Sequence, residues 1–430
     1  MDRLFLIELN ELNFNLVEKY TRKYPKRFPN FIKLNNLTNL NTFSESEYHE
    51  LEPWIQWVSA HTGKKYKDHK IFRLGDVLKS NQEQIFEKVE NYGFNVGSIC
   101  CMNVKNSLKT PSYFIPDPWT QTETDGSIYS NFIKSILVQT VNDNSISKIS
   151  IKNIFLIIFV FLRFIKIKDY STFVEMALSS FRKPWRKALF LDYFIHKIHL
   201  KLLEEKKPNF STIFFNSGAH IQHRYFFNSE FSNKSNPSWY LDKKYDPFFE
   251  MLLVYEKIIS DYLDIDNTEI IFATGLCQKE FNNPVFYWRL KNHADFLKSL
   301  GLSFSNVFPR MTRDFLIEFK NEKDANKCFE TLSKIQDRDG EKLFGDIDRR
   351  NHSLFVTLTY PKDIEGKTFS NIKERVTLEN EITFVAIKNG EHASNGKVFT
   401  TLENLHFQEN KIDITELFNI VDSFFKKLIN

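Results

Sequence analysis

Apolar and polar positions change period repeatedly along the chain. An apolar run at 3–9 breaks at Asn10 and gives way to a helix-spaced stretch at 15–24 before Pro25, which predicts a buried strand feeding a helix. Pro53 suits a first helical turn, and the amphipathic stretch behind it reaches His61 and closes at Thr62-Gly63. A helix at 84–91, Gly93 and a strand at 95–101 repeat the unit. Residues 212–216 predict a short strand whose end delivers Ser217, Gly218, Ala219, His220, Gln222 and His223 into a loop. A helix at 247–263 follows, then a strand at 269–273 ending in Thr274-Gly275-Leu276. Strands that each end in polar residues gather those residues at one sheet edge, where α/β proteins hold their ligands.

Two stretches break this rhythm. Residues 154–165 are apolar except Arg163, and 170–203 mixes apolar pairs with Lys, Arg and Glu at helical spacing. The apolar run is well short of the roughly 20 residues a spanning helix needs, so the expectation is a helical insertion whose basic, aromatic edge suits a membrane surface. Farther on, alternation at 314–319, a helix at 322–334 and alternation at 353–360 predict a small α+β lobe. Strands at 382–387 and 397–401 flank Gly390-Glu391-His392-Ala393-Ser394-Asn395-Gly396, and an amphipathic helix at 414–428 ends the chain. The fold class expected is α/β: a three-layer α/β/α sandwich with a mostly parallel central sheet. Its core comprises 1–148, 206–300 and 376–430, with the helical insertion at 149–205 and the lobe at 301–375.

Composition narrows the function classes. A net charge of +4, with Lys and Arg scattered among acids, gives no nucleic-acid footprint. Cys100, Cys101, Cys277 and Cys328 have neither the density nor the spacing of a disulfide framework or zinc ribbon, and read as buried residues in a reducing compartment. The apolar start is short and interrupted by Glu8, unlike a signal peptide, which predicts a cytoplasmic protein, with the insertion able to rest on the inner face of the membrane. The 44 Phe are spread through predicted strands and helices, as substitutes for Leu and Ile in an ordinary core. Only Phe155, Phe159, Phe161 and Phe164, crowded beside basic residues, suggest more.

The candidate chemistry lies in six pieces: L-I-E-L-N-E-L at the start, E-P-W-I-Q-W-V-S-A-H-T-G-K at 52–64, K-D-H-K-I-F at 67–72, A-H-I-Q-H-R-Y-F at 219–226, A-T-G-L-C-Q at 273–278 and G-E-H-A-S-N-G at 390–396. In this order they resemble the alkaline phosphatase superfamily, especially its type I phosphodiesterase and nucleotide pyrophosphatase branch. That family has a metal-binding Asp after the first strand, a Ser or Thr nucleophile opening a helix that ends in T-G, D-x-x-G-H-R-Y-G, S-D-H-G and a late G-x-H. The departures are specific. Asn10 stands at the first Asp, with Glu8 and Glu11 as the nearby carboxylates; Glu52-Pro53 replaces the nucleophile; Ala219 replaces the Asp before His223; Thr274-Gly275-Leu276-Cys277 replaces S-D-H-G. His392 matches the late His.

The resemblance implies a two-metal phosphoryl site, and two His with the remaining carboxylates do not rebuild it. What survives is expected either to bind one divalent metal, Zn or Mn, through His223, His392 and a third ligand, Glu11 or else His220 or Glu52, or to bind none, with the histidines and Arg224 donating to an anion. Glu52 is the candidate general base, His220 a further catalytic residue and Gln278 a polar stand-in for the lost loop. Asn10, His61 and Arg224 are candidate substrate contacts, His61 being equally readable as a solvated or helix-capping residue. The expected partner is a phosphate-bearing small molecule or glycan, cleaved or transferred without a Ser or Thr covalent intermediate, with a role in surface-polysaccharide metabolism. The alternative is a degenerate member of the fold kept for binding or scaffolding.

Overall fold

The computed structural model describes residues 2–141, 151–310, 313–370, 378–403, 405, 407 and 410–430. In chain order, β1 (Leu4–Leu9) leads through α1 (Phe14–Lys23) and α2 (Pro29–Asn35) to β2 (Thr38–Phe43). Then come α3 (Pro53–Thr62), α4 (Tyr66–His69), α5 (Ile85–Asn91), β3 (Val96–Ile99) and β4 (Tyr113–Ile115). Helices α6 (Ile128–Val141), α7 (Ile151–Phe164), α8 (Tyr170–Ser179) and α9 (Arg186–Lys206) precede β5 (Phe210–Phe215), α10 (Ser217–Tyr225), α11 (Pro247–Leu263), β6 (Glu269–Ala273) and β7 (Cys277–Leu290). The chain continues with α12 (His293–Ser299), β8 (Asn306–Pro309), β9 (Asp314–Glu318), α13 (Glu322–Ser333), β10 (Asp346–Arg350) and β11 (Ser353–Thr357). It ends with α14 (Leu378–Glu381), β12 (Ile382–Ala393), β13 (Asn395–Thr400), β14 (Lys411–Asp413) and α15 (Glu416–Ile429).

These elements form two compact units, the first comprising Met1–Leu137, Ile151–Glu280 and Asn389–Asn430, the second built around Phe281–Lys388. In the first, β1 lies inside a sheet of order β14-β2-β13-β6-β1-β5-β3-β4. Leu4 pairs in parallel with Phe210 and Glu269, and β3 and β4 continue the parallel run beyond β5. β13 is the antiparallel member, set against β6 and β2. Every residue of β1 and of β5 is buried, as continuous apolar strands covered on both faces must be.

The two covering layers can be read from β5. Phe210 and Phe214 turn toward Phe86 of α5, Phe425 of α15 and Trp57 of α3. Ser211 and Phe215, one residue out of phase, turn toward His199 and His196 of α9 and Tyr255 of α11. This is the three-layer arrangement expected, and it corrects one boundary. α9 buries Leu189, Tyr193, Phe194, Ile198 and Leu202 as a layer helix of the first unit, so the predicted insertion at 149–205 supplies part of the core rather than an appendage.

The second unit has an antiparallel sheet of order β10-β11-β9-β8, with Phe315 and Ile317 of β9 and Leu354 and Val356 of β11 facing its core. Trp288, Leu290, Phe296 and Leu297 belong to the same core, as do Leu378 and Ile382. Apolar packing therefore extends this unit on both sides of the anticipated 301–375. Cys100 and Cys101 are buried free thiols, but they follow β3 instead of lying on it, because Cys100 adopts a left-handed backbone (φ 59°).

Candidate metal centre

The carboxyl end of β1 sets the site. Asn10 and Glu11 leave the sheet through backbone bonds to Phe215 (3.1 Å) and Thr274 (3.0 Å), the ends of the two flanking strands. Glu11 is left-handed (φ 60°), a strained conformation for a residue with a Cβ, sustained only where surroundings over-determine it. They do. Gln222 donates from Nε2 to the Glu11 carbonyl (2.9 Å) and accepts the Asn13 amide on Oε1 (3.0 Å).

His223 sits on a helix, which corrects the loop expected at 217–223. Asn216 stands at the N-cap, but its side chain accepts from Asn10 and does not cap the helix, so the caps come from elsewhere in the fold. Asp192 of α9 accepts the amides of Asn216 (3.2 Å) and Ser217 (2.8 Å), while the Tyr255 hydroxyl of α11 accepts that of Gly218 (3.0 Å). Burial pushes the Asp192 carboxyl up to about 6 against these hydrogen bonds. His392 likewise lies on a strand, because β12 runs on through Gly390-Glu391-His392 where a loop was expected.

These elements bring three ligand atoms together. Glu11 Oε2 lies 3.1 Å from His223 Nε2 and 3.2 Å from His392 Nε2, and the two Nε2 atoms are 3.2 Å apart. Burial alone would push the Glu11 carboxyl up, but the charges of His392 and His223 and their hydrogen bonds hold it well below the usual carboxylate range. Two imidazole Nε2 atoms carry at most two protons, whereas three short edges need three. A proton-only arrangement leaves donor facing donor or acceptor facing acceptor on one edge. A single cation at the centre satisfies all three. Tetrahedral zinc with ligands about 2.0–2.1 Å away spaces them about 3.3–3.4 Å apart, and two His with one carboxylate is a ligand set that leaves a position for substrate. The residues present therefore fit the single divalent ion expected of Glu11, His223 and His392.

The other candidates divide into support and bystanders. Asn10 is buried and saturated, donating to Glu11 Oε1 (3.0 Å) and Asn216 Oδ1 (2.9 Å) and accepting from Trp57 Nε1 (2.8 Å), so it positions Glu11 and does not face a substrate. Gln278 is fully buried, donates to Glu11 Oε2 and to the Ala219 carbonyl (3.2 Å), and is likewise a positioning residue and not a catalytic one. Glu52 Oε2 lies 3.6 Å from His392 Nδ1, on the side of the ring opposite Nε2. It sits beside the cluster, outside its three ligand atoms. His61 is 1% exposed, bonded to Glu8 within the sheet (2.6 Å) and stacked on Trp57, so it is neither the substrate contact nor the cap expected. His220 is one turn from both His223 and Arg224 on α10, outside the cluster, and burial with those two cations keeps it neutral. Arg224, next to His223 in sequence, leaves the helix on another side.

Sequence reasoning passed over the supporting roles of Asn13, Trp57, Asp192, Asn216 and Gln222. Asp192 had a signal: a lone acid inside the apolar run L-F-L-D-Y-F-I. No protein-family profile and no curated protein matches the chain. Solved structures similar to it include phosphonoacetate hydrolase from Sinorhizobium meliloti 1021, at 10% identity and a TM-score of 0.42, covering 98% of this chain and 95% of that one. Murine ectonucleotide pyrophosphatase/phosphodiesterase 5 matches at 10% identity and a TM-score of 0.44, covering 99% and 95%.

Proposed function

We propose that the chain holds one divalent cation on Glu11, His223 and His392 and acts on the phosphodiester of a phosphorylated sugar, nucleotide or surface glycan, without a covalent Ser or Thr intermediate. The triangle of ligand atoms, 3.1–3.2 Å on each edge with its carboxylate held ionised, carries this reading. A divalent ion bound there supplies Lewis-acid polarisation of a phosphoryl oxygen. The residues around it fix the geometry. Asn10 and Gln278 hold the two Glu11 oxygens, Glu52 braces the His392 ring, and the Asp192 and Tyr255 caps spend the first amides of α10 internally, so those amides do not receive the phosphate. The start of α3 carries Glu52-Pro53 and no hydroxyl, which supports direct attack over a covalent route.

The test is elemental analysis of the purified protein together with turnover of bis(p-nitrophenyl) phosphate, with and without zinc or manganese. One bound ion, metal-dependent turnover and loss of both in His223→Ala and His392→Ala support the proposal. No bound metal and no turnover defeat it. One observation favours a second reading, a binding protein that does not turn over: the Glu52 carboxylate stands at the helix start and repels a phosphoryl group there. Under that reading calorimetry of the metal-loaded protein detects a non-hydrolysable phosphonate diester while turnover stays at background.

A further inference from the structure

α7 is apolar on both sides. Val160 and Phe164 point inward and are buried, as is the following Ile165, yet Phe155 (68% exposed), Ile158 (49%), Phe159 (46%) and Leu162 (65%) form a second stripe on the outside at i, i+3, i+4, i+7. α8 repeats the pattern. Phe173 is buried, while Val174, Leu178 and, just beyond the helix, Phe181 (86% exposed) line the outer side, with Ile167 exposed between the two helices. Helices of a soluble unit turn polar residues to solvent, so two adjacent helices with apolar outer stripes mark a covered surface.

Charge decides what covers it. Between Ile151 and Lys187 the sequence holds eight Lys or Arg against two Asp or Glu, of which Arg163, Lys166, Lys183 and Arg186 are paired with Glu205, Glu204 and Glu250 from outside the segment. Lys168, Arg182 and Lys187 are exposed beside the stripes. A two-fold contact with a second copy would set this basic face against itself. An anionic lipid surface complements it, with aromatic and aliphatic side chains entering the headgroup boundary and the cations above. Fourteen residues of α7 span about 21 Å, short of a hydrocarbon core of about 30 Å, and among the described residues no helix is long and apolar enough to cross a membrane. We infer that α7 and α8 lie in the plane of an anionic bilayer surface, anchoring the chain without spanning it.

The test is flotation of the full chain with phosphatidylcholine vesicles, with and without phosphatidylglycerol. Wild type should float with the mixed vesicles and detach in high salt. Phe155→Ser/Leu162→Ser and Leu178→Ser/Phe181→Ser should each lower the bound fraction about tenfold, with melting temperatures nearly unchanged because these side chains are exposed. Lys168→Gln/Arg182→Gln/Lys187→Gln should remove the preference for phosphatidylglycerol. Failure of wild type to float, flotation indifferent to the serine variants, or a dimer that those variants turn into a monomer would each overturn the inference.

Discussion

Gly390→Ala tests the site through its tightest contact. Gly390 precedes His392 by two on β12 and faces Gln278; a methyl group there would overlap Gln278 Oε1 and stand 2.8 Å from the Gln222 carbonyl oxygen. The carbonyl belongs to α10 and cannot yield, so Gln278 must swing away, breaking its bonds to Glu11 Oε2 and the Ala219 carbonyl. Overpacking of this kind costs about 1–3 kcal/mol. At roughly 2–4 °C per kcal/mol for a large domain, melting should fall by roughly 2–12 °C. The second effect is on the metal. Losing a supporting partner of a ligand weakens binding about 10–100-fold, so zinc affinity, measured by competition with a chromophoric chelator, should fall by that factor while stoichiometry stays at one. Gln278→Ala should weaken zinc binding by a similar factor, so Gly390→Ala/Gln278→Ala should bind zinc about as Gln278→Ala does, while still melting lower because the methyl remains 2.8 Å from the Gln222 carbonyl oxygen. An alanine at 390 that melts and binds zinc like wild type would refute the reasoning, since the packing of Gly390 on Gln278 would then not govern Glu11.

Further outcomes follow from the same contacts. Zinc should raise the melting temperature of metal-free protein, by about 2.7 kcal/mol of stability at a hundredfold excess over Kd, and His223→Ala should abolish the increase in a thermal scan. The Asp192 carboxyl, raised to about 6 in the fold, keeps its proton there to a higher pH than in the unfolded chain, so its contribution is complete below about pH 4 and is lost as pH rises through 6. Asp192→Asn should flatten that part of the stability-pH curve, measured by urea unfolding at a series of pH values. His61→Ala should destabilise by about 3–5 kcal/mol in the same assay, because the buried Glu8 carboxyl is left without its partner, whereas Glu8→Leu/His61→Leu should cost much less.

The core strands and the layers were readable because each rests on local pattern: the buried runs at 4–9 and 210–215 and the amphipathic terminal helix are visible residue by residue. The strand order was not, because it depends on pairings between segments far apart in sequence. His223, His392 and Glu11 were also within reach, through the order of the pieces in which they occur. The roles of Asn10, Gln278, Glu52 and His61 were not, because each depends on which way a side chain turns once strands far apart in sequence are paired. Asn10 and Gln278, 268 positions apart, both end on the Glu11 carboxylate. The helix at 217–225 was missed for a related reason, since its caps come from Asp192 and Tyr255 and not from the residues before it.

The departures from the family pattern then become mutually consistent as charge balance. Three positions where the resemblance puts Asp lack a carboxylate, namely Asn10, Ala219 and the 274–277 stretch, while Glu11 restores one beside His223 and His392. Two fewer negative charges would match one fewer divalent cation, as the single-ion site proposed above requires. The amides gained are not idle: Asn10 and Gln278 each donate to Glu11, and Gln222, where the family has Gly, clamps the Glu11 backbone in its left-handed turn. A buried carboxylate facing two imidazoles and held by two amides is arranged for one ion, and a second in its immediate surroundings would meet amide N–H groups. Two equivalents of zinc bound at this end of the sheet would contradict the balance; one equivalent, lost with Glu11→Gln, is what it requires.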